Sequence, residues 1–249
     1  MIMEVHPPGA PSWVEIAVPD VGAAREFYGS LFGWEFAGGS PVAGGYTTCL
    51  LRGQPVAGIT GTGDGPGRRW TTFFATDDAD ASAQRITAAG GSLVLAPRDV
   101  ADQGRVALGE DPEGVLFAVW QGREHRGAGI VGETGAMSWH ELGTADPDTA
   151  VEFYGTVLDR PVRPMGIPGF DYWTVSVGEN RVAGIWADAR APRQWTTYFS
   201  VEDADEAARR VTAAGGRVLR GPMDSPQGRL AVVADPFEAL LAVVRPPEP

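Results

Sequence analysis

Two glutamates are the side chains of this sequence best placed to do chemistry. Glu15 sits inside Ser12-Trp13-Val14-Glu15-Ile16-Ala17-Val18, and Glu141 inside Ser138-Trp139-His140-Glu141-Leu142-Gly143-Thr144. Both segments have the make-up of a strand, and a carboxylate in the middle of one is costly unless it is paired or used. Used, it serves as a general base with a raised pKa or as an acceptor that orients a ligand. Paired, its natural partners are Arg105 and Arg229, which occupy matching places in the two halves of the chain. The same arginines are also candidates for meeting a ligand carboxylate or phenolate.

Strand alternation puts Trp13 and Glu15 on one face and Val14, Ile16 and Val18 on the other, the aliphatic face being suited to lie under a helix. Trp139 and Glu141 repeat the arrangement. Trp70 with Thr72, and Trp195 with Thr197, are expected to arrive at the same two places from partner strands. Each place would then hold two indoles, a carboxylate and a hydroxyl, a surface suited to a planar organic ligand. The competing reading is that the indoles fill the interior themselves. Tyr46 and Tyr172, each following a Gly- or Pro-rich stretch (Gly38-Gly45 and Pro164-Gly169), belong to segments that would act as lids or as plain connections. Of the three histidines, His6 falls in a tail, His125 in a connection, and His140 points away from Trp139 and Glu141, as a packing residue does.

The elements that position these residues are repeated. At an offset of 126, Glu15 meets Glu141, Phe27-Tyr28 meets Phe153-Tyr154, and Val56-Ala57-Gly58-Ile59 meets Val182-Ala183-Gly184-Ile185. At 125, Trp70-Thr71-Thr72-Phe73-Phe74 meets Trp195-Thr196-Thr197-Tyr198-Phe199, and at 124 Asp111-Pro112 meets Asp235-Pro236. A fainter offset, 57 in the first half and 56 in the second, divides each half again. Four modules result, each a strand, a helix of about a dozen residues and three short strands. The helices are expected over Asp20-Phe32, Asp77-Ala89, Asp146-Leu158 and Glu202-Ala214. The expected fold is α+β: four βαβββ modules in two tandem domains, 1–121 and 138–249, joined by a Gly-rich linker at 122–137. No module can bury a sheet face alone, so each pair is expected to curl into an incomplete barrel around a cavity, helices outside.

The 249 residues include 32 acidic and 20 basic side chains, all of the latter arginine, for a formal charge of −12. That balance excludes nucleic acid and anionic membrane surfaces as partners. One cysteine, Cys49, excludes an internal disulfide and a cysteine-based zinc cluster, and the lack of lysine excludes Schiff-base chemistry. No apolar leader or membrane span is present in the sequence, which predicts a cytoplasmic protein.

The βαβββ order, the Asp-x-x-x-Ala-x-x-Phe-Tyr-x-x-Leu-x-Gly/Asp pattern at Asp20 and Asp146, and the Asp-Pro pattern at Asp111 and Asp235 resemble the vicinal oxygen chelate superfamily. The superfamily includes glyoxalase I, extradiol dioxygenases and the bleomycin-resistance proteins, and the resemblance spans nearly the whole chain. The tandem form is similar to two-domain actinobacterial proteins described as hydroxylases or glyoxalase-like. The resemblance implies a divalent metal held by His, Gln or Glu from opening and last strands. Counted seven residues back from the expected helix caps, the opening-strand positions are Trp13, Trp70, Trp139 and Trp195, and the last-strand positions fall on Ala118 and Ala242. No metal or other cofactor is therefore expected. Two functions stay open. The first is metal-independent binding of a small planar or aromatic metabolite, as bleomycin-resistance proteins bind theirs. The second is a metal-independent enzyme, of hydroxylase, lyase or isomerase type, with Glu141 or Glu15 as base. A metal-dependent glyoxalase or dioxygenase ranks third. The partner expected is a small aromatic molecule, and the chain a monomer or homodimer.

Overall fold

The computed structural model describes residues 5–38, 45–62, 69–166, 168–225 and 227–247. The first half runs β1 (Pro11–Val18), α1 (Val21–Phe32), β2 (Glu35–Gly38), β3 (Thr47–Leu51), β4 (Gln54–Gly61), β5 (Trp70–Ala75), α2 (Ala79–Ala88), β6 (Ser92–Val100), β7 (Gly104–Glu110) and β8 (Leu116–Gly122). The second runs β9 (Met137–Thr144), α3 (Pro147–Leu158), β10 (Val162–Pro164), β11 (Tyr172–Val177), β12 (Asn180–Ala187), β13 (Trp195–Ser200), α4 (Ala204–Ala213), β14 (Arg217–Ser225), β15 (Gly228–Ala234) and β16 (Leu240–Arg245). Each half forms one mixed eight-stranded sheet, ordered β2-β3-β4-β1-β5-β8-β7-β6 and β10-β11-β12-β9-β13-β16-β15-β14. The sheets are open, with β2 and β6, and β10 and β14, at their edges. The fold is thus the expected α+β arrangement of four βαβββ modules.

The helix boundaries follow from their caps. Asp20 accepts the Ala23 N–H and Gly33 closes α1 at φ 72°, a left-handed conformation that glycine adopts without strain. Asp146 accepts from Thr149, and Asp159 takes the left-handed closing position of α3. In α2 and α4 the caps are Asp78 and Asp203, each one residue later than the expected Asp77 and Glu202. That single-residue shift reverses the face assigned to every residue of β5 and β13 counted from it.

The helices lie between the backs of the two sheets. One buried cluster joins Ala24, Tyr28 and Phe32 of α1 with Phe199, with Ala207 and Val211 of α4, and with Val233 and Leu241 of the second sheet. The other joins Ile86 of α2 and Phe117 of β8 with Phe153, Tyr154 and Val157 of α3 and with Trp195. Each half therefore completes the core of the other. Reciprocal polar contacts lock the arrangement: Tyr28 donates to Asp235 at 2.6 Å, and Tyr154 donates to Asp111 at 3.0 Å. Each aspartate also accepts two backbone N–H groups of its own turn. The Phe-Tyr and Asp-Pro patterns of the sequence meet here, across the halves. The opposite faces of the sheets carry Trp13 and Trp139; Trp139 is partly exposed there, whereas Trp13 is buried.

Among the described residues no helix is long and apolar enough to cross a membrane.

Candidate functional site

β9 presents Trp139 and Glu141 on the outward face, where both remain partly exposed. Tyr172, at the start of β11, reaches over β12 and donates its hydroxyl to Glu141 Oε1 at 2.6 Å while accepting the Trp139 indole N–H at 3.0 Å. Tyr198 of β13 donates to the other carboxylate oxygen, Oε2, at 2.5 Å. Burial and the neighbouring carboxylate push both phenols well above their ordinary pKa, so each stays a donor at neutral pH. Leu230, Ala242 and Val244 are buried beside Tyr198, with Trp139, Met223 and Val232 packed against them, and they form the apolar floor.

The chain must pass close under Tyr172 for this to work. A Cβ on Gly184 of β12 would collide with the Tyr172 ring and hydroxyl, and one on Gly58 of β4 would collide with Tyr46. The glycine of the repeated Val-Ala-Gly-Ile is therefore required by a tyrosine lying flat across it.

The first half repeats the constellation with two changes. Trp13 donates its N–H to Tyr46 at 3.1 Å, and Tyr46 is hydrogen-bonded to Glu15. Phe73, the counterpart of Tyr198, supplies no second hydroxyl, and desolvation dominates: the Glu15 carboxyl is pushed up to about 7. The second change is at the mouth. Trp120 stands where the second half has Val244, and the His125 imidazole packs edge-on against Trp13 at 4.4 Å between centroids. Trp13 is 3% exposed in consequence.

Six expected site residues lie elsewhere. Glu15 pairs with Thr71 and Glu141 with Thr196 across the antiparallel strands, so Thr71 and Thr196 share the outward face, while Trp70, Thr72, Trp195 and Thr197 point inward. Trp70 packs on Tyr28 and Phe199, and Trp195 on Tyr154 and Phe74. Thr72 and Thr197 both approach His140 Nδ1, at 3.3 and 3.5 Å, in the core between the sheets. The displaced caps are the reason, since seven residues before Asp78 and Asp203 stand Thr71 and Thr196. Arg105 and Arg229 do not reach the glutamates either. Arg105 binds Asp80 and Asp99, and Arg229 binds Asp205 and Asp224, which tie the first turns of α2 and α4 to the sheets. Of the expected lid segments, residues 39–44 and 167 lie outside the described residues.

Tyr198 is the residue that sequence reasoning missed. Its signal was a mismatch inside a strong repeat, a hydroxyl added on one side only, at the position facing Trp139 across the ladder.

The model of the glyoxalase/bleomycin resistance protein/dioxygenase superfamily matches residues 10–119, and that of a glyoxalase-like domain matches residues 139–244. The chain belongs to this superfamily. Among superfamily relatives, it is 38% identical over 249 residues to "Putative glyoxylase CFP32" of Mycobacterium tuberculosis, covering 96% of this chain and 95% of that one. It is 37% identical over 256 residues to "Anthracycline biosynthesis protein DnrV" of Streptomyces peucetius, covering 95% and 93%. The superfamily fold is shared with the Mn(II)-bound glyoxalase of Novosphingobium aromaticivorans, with TM-score 0.68, 18% identity and coverage of 95% and 81%. It is shared also with the 2,3-dioxygenase LapB of Pseudomonas sp. KL28, with TM-score 0.66, 14% identity and coverage of 96% and 94%.

The metal that the superfamily implies does not fit this donor set. With the caps corrected, the positions are Trp13, Thr71 and Ala118 in one half and Trp139, Thr196 and Ala242 in the other. Glu15 and Glu141 are engaged by phenols, and among the described residues no three of His, Cys, Asp and Glu converge.

Proposed function

We propose that the outward face of the second half binds a planar, hydroxylated aromatic small molecule without a metal. The observation that carries the reading is the Trp139-Tyr172-Glu141-Tyr198 chain on a partly exposed apolar floor. Its donors are spent internally: the indole N–H on Tyr172, and both phenol hydrogens on Glu141. Lone pairs remain, on the carboxylate and on Tyr198, so this chain of side chains offers acceptors to a ligand. A ligand hydroxyl that donates to Glu141 while its ring lies against Trp139 satisfies both ends. A relative named for anthracycline biosynthesis agrees with a flat, hydroxylated ligand.

The test is titration of 2,6-dihydroxyanthraquinone, whose hydroxyls have no internal acceptor, against its dimethoxy analogue, read by tryptophan fluorescence. Saturable quenching by the diol, at least tenfold weaker for the ether and weakened likewise in Glu141→Ala, is the expected result. Equal affinity for diol and ether, or no binding of either, overturns the reading. A second reading, general-base catalysis, is favoured by Glu15, whose pKa near 7 suits proton abstraction at neutral pH. Turnover of a hydroxyaromatic that is abolished by Glu15→Gln and retained in Glu141→Gln would select it.

A further inference from the structure

The first half has the same ring-and-carboxylate surface, yet part of the chain itself lies on it. Residues 122–130 leave β8, turn back at its end and pass over the outward face. Arg123 and His125 donate backbone N–H groups to Gln103 O at 2.9 and 3.1 Å. Trp120 Nε1 donates to His125 O at 2.8 Å, which brings the histidine ring down upon Trp13. Beyond it the segment is pinned by Ala128 N to Ser12 O and Gly129 N to Pro55 O, both at 2.7 Å, and by His6 Nε2 against Ala128 O at 2.9 Å. The anchors lie on either side of the histidine. The imidazole is held less well than the backbone that carries it, because Nε2 is buried and without a hydrogen-bond partner among the described residues.

A flat ring edge-on to the indole, with one ring nitrogen unmatched, occupies a surface that the second half leaves open. Trp13, Tyr46 and Glu15 are hydrogen-bonded beneath it as Trp139, Tyr172 and Glu141 are in the second half. We infer that the first half holds a second aromatic-binding site, closed by its own chain through Trp120 and His125, which stand where the ligand rings would stand. The ligand class is the same hydroxylated planar aromatic, so the inference rests on the function proposed above. Phe73 in place of Tyr198 leaves one Glu15 oxygen without a phenol, free to take a donor from the ligand.

The experiment counts ligands per chain in the full-length protein, with 2,6-dihydroxyanthraquinone in equilibrium dialysis. Wild type is compared with a Trp120→Val, His125→Gly double variant, which installs the residue of the second half and removes the imidazole. His125→Gly alone is the second variant. It keeps the backbone carbonyl that Trp120 binds, so it preserves the fold even where the double variant does not. Near-UV circular dichroism checks both. The expected result is one equivalent for wild type and two for the opened variants, the added one lost on further Glu15→Ala. One equivalent throughout overturns the closed site and leaves the proposed function standing. None for wild type with one for the opened variants overturns the second-half reading and supports the site in the first. None for any of them overturns both.

Discussion

Glu141 and Glu15 occupy equivalent backbone positions, and what separates them is one hydroxyl. Tyr198 engages the second oxygen of Glu141, and Phe73 leaves Glu15 with Tyr46 as its one phenol among the described residues. Two consequences are measurable at single residues. Tyr198→Phe should weaken ligand binding about tenfold, or ~1.4 kcal/mol, within the range for a hydrogen bond to a charged group. Glu15 is raised in the folded state from 4.5 to about 7, so the folded protein holds this proton more tightly than the unfolded chain. Its contribution to stability is therefore fully present below pH 4.5 and lost as pH rises through 7. Glu15→Gln does not titrate, and its unfolding free energy should gain on wild type between those limits, by on the order of 3 kcal/mol at pH 8. Denaturant unfolding at pH 4.5 and pH 8 measures it, and an equal difference at the two pH values would show that Glu15 is not a buried acid. Gly184→Ala should expel Tyr172 from Glu141 and lower affinity at least as much as Tyr198→Phe does, because the ring has no alternative path over the strand. The glycine was visible in the sequence as part of a repeat. Its reason was not, since nothing in a linear pattern shows which side chain crosses which backbone.

At the level of elements, strand order and helix placement were legible because a repeat compared with itself filters out local noise. Trp13, Glu15, Tyr46 and their counterparts were legible for the same reason. The faces of β5 and β13 were not. Two acidic residues stand side by side before each helix, Asp77-Asp78 and Glu202-Asp203, and only the second of each pair accepts the first-turn N–H groups. A strand has a period of two, so choosing the wrong neighbour moved Trp70, Thr72, Trp195 and Thr197 from the core to the outward face. Arg105 and Arg229 failed differently: both are matched across the halves because both tether helices, a structural duty that repeats as faithfully as a functional one. Arg229→Ala should accordingly leave the ligand dissociation constant unchanged within twofold while loosening α4, seen as faster amide exchange over residues 204–213. A tenfold loss of affinity would return the arginine to the site.

Over the whole molecule, the three imidazoles make acid stability a property of the core. His140, enclosed by Thr72 and Thr197, is pushed down to about 3 chiefly by desolvation, and His125 to about 4, while burial lowers His6 as well. The unfolded chain takes up these protons below pH 6.5 and the folded chain does not, so their contribution is intact above 6.5 and declines as pH falls toward 3. The stability difference between wild type and His140→Asn should thus shrink by up to about 1.4 kcal/mol for each pH unit in that window. A difference constant from pH 7 to 4 would mean that His140 is not buried neutral. Tyr154→Phe leaves Asp111 short of its acceptance from the other half and should cost roughly 1–3 kcal/mol in urea unfolding.

The contacts between the halves come in exchanged pairs. Trp70 meets Phe199 as Trp195 meets Phe74, and Tyr28 meets Asp235 as Tyr154 meets Asp111. A surface built this way is self-complementary about a twofold axis, the symmetry of an isologous dimer. Either half carries every residue type needed to mate with a copy of itself, so the continuous backbone raises local concentration more than it supplies recognition. Cutting the chain between residues 130 and 137 should leave a complex that stays together on dilution. Because the two fragments differ in their outward faces but share this mating surface, mixed in unequal amounts they should scramble into like pairs as well as the native unlike one.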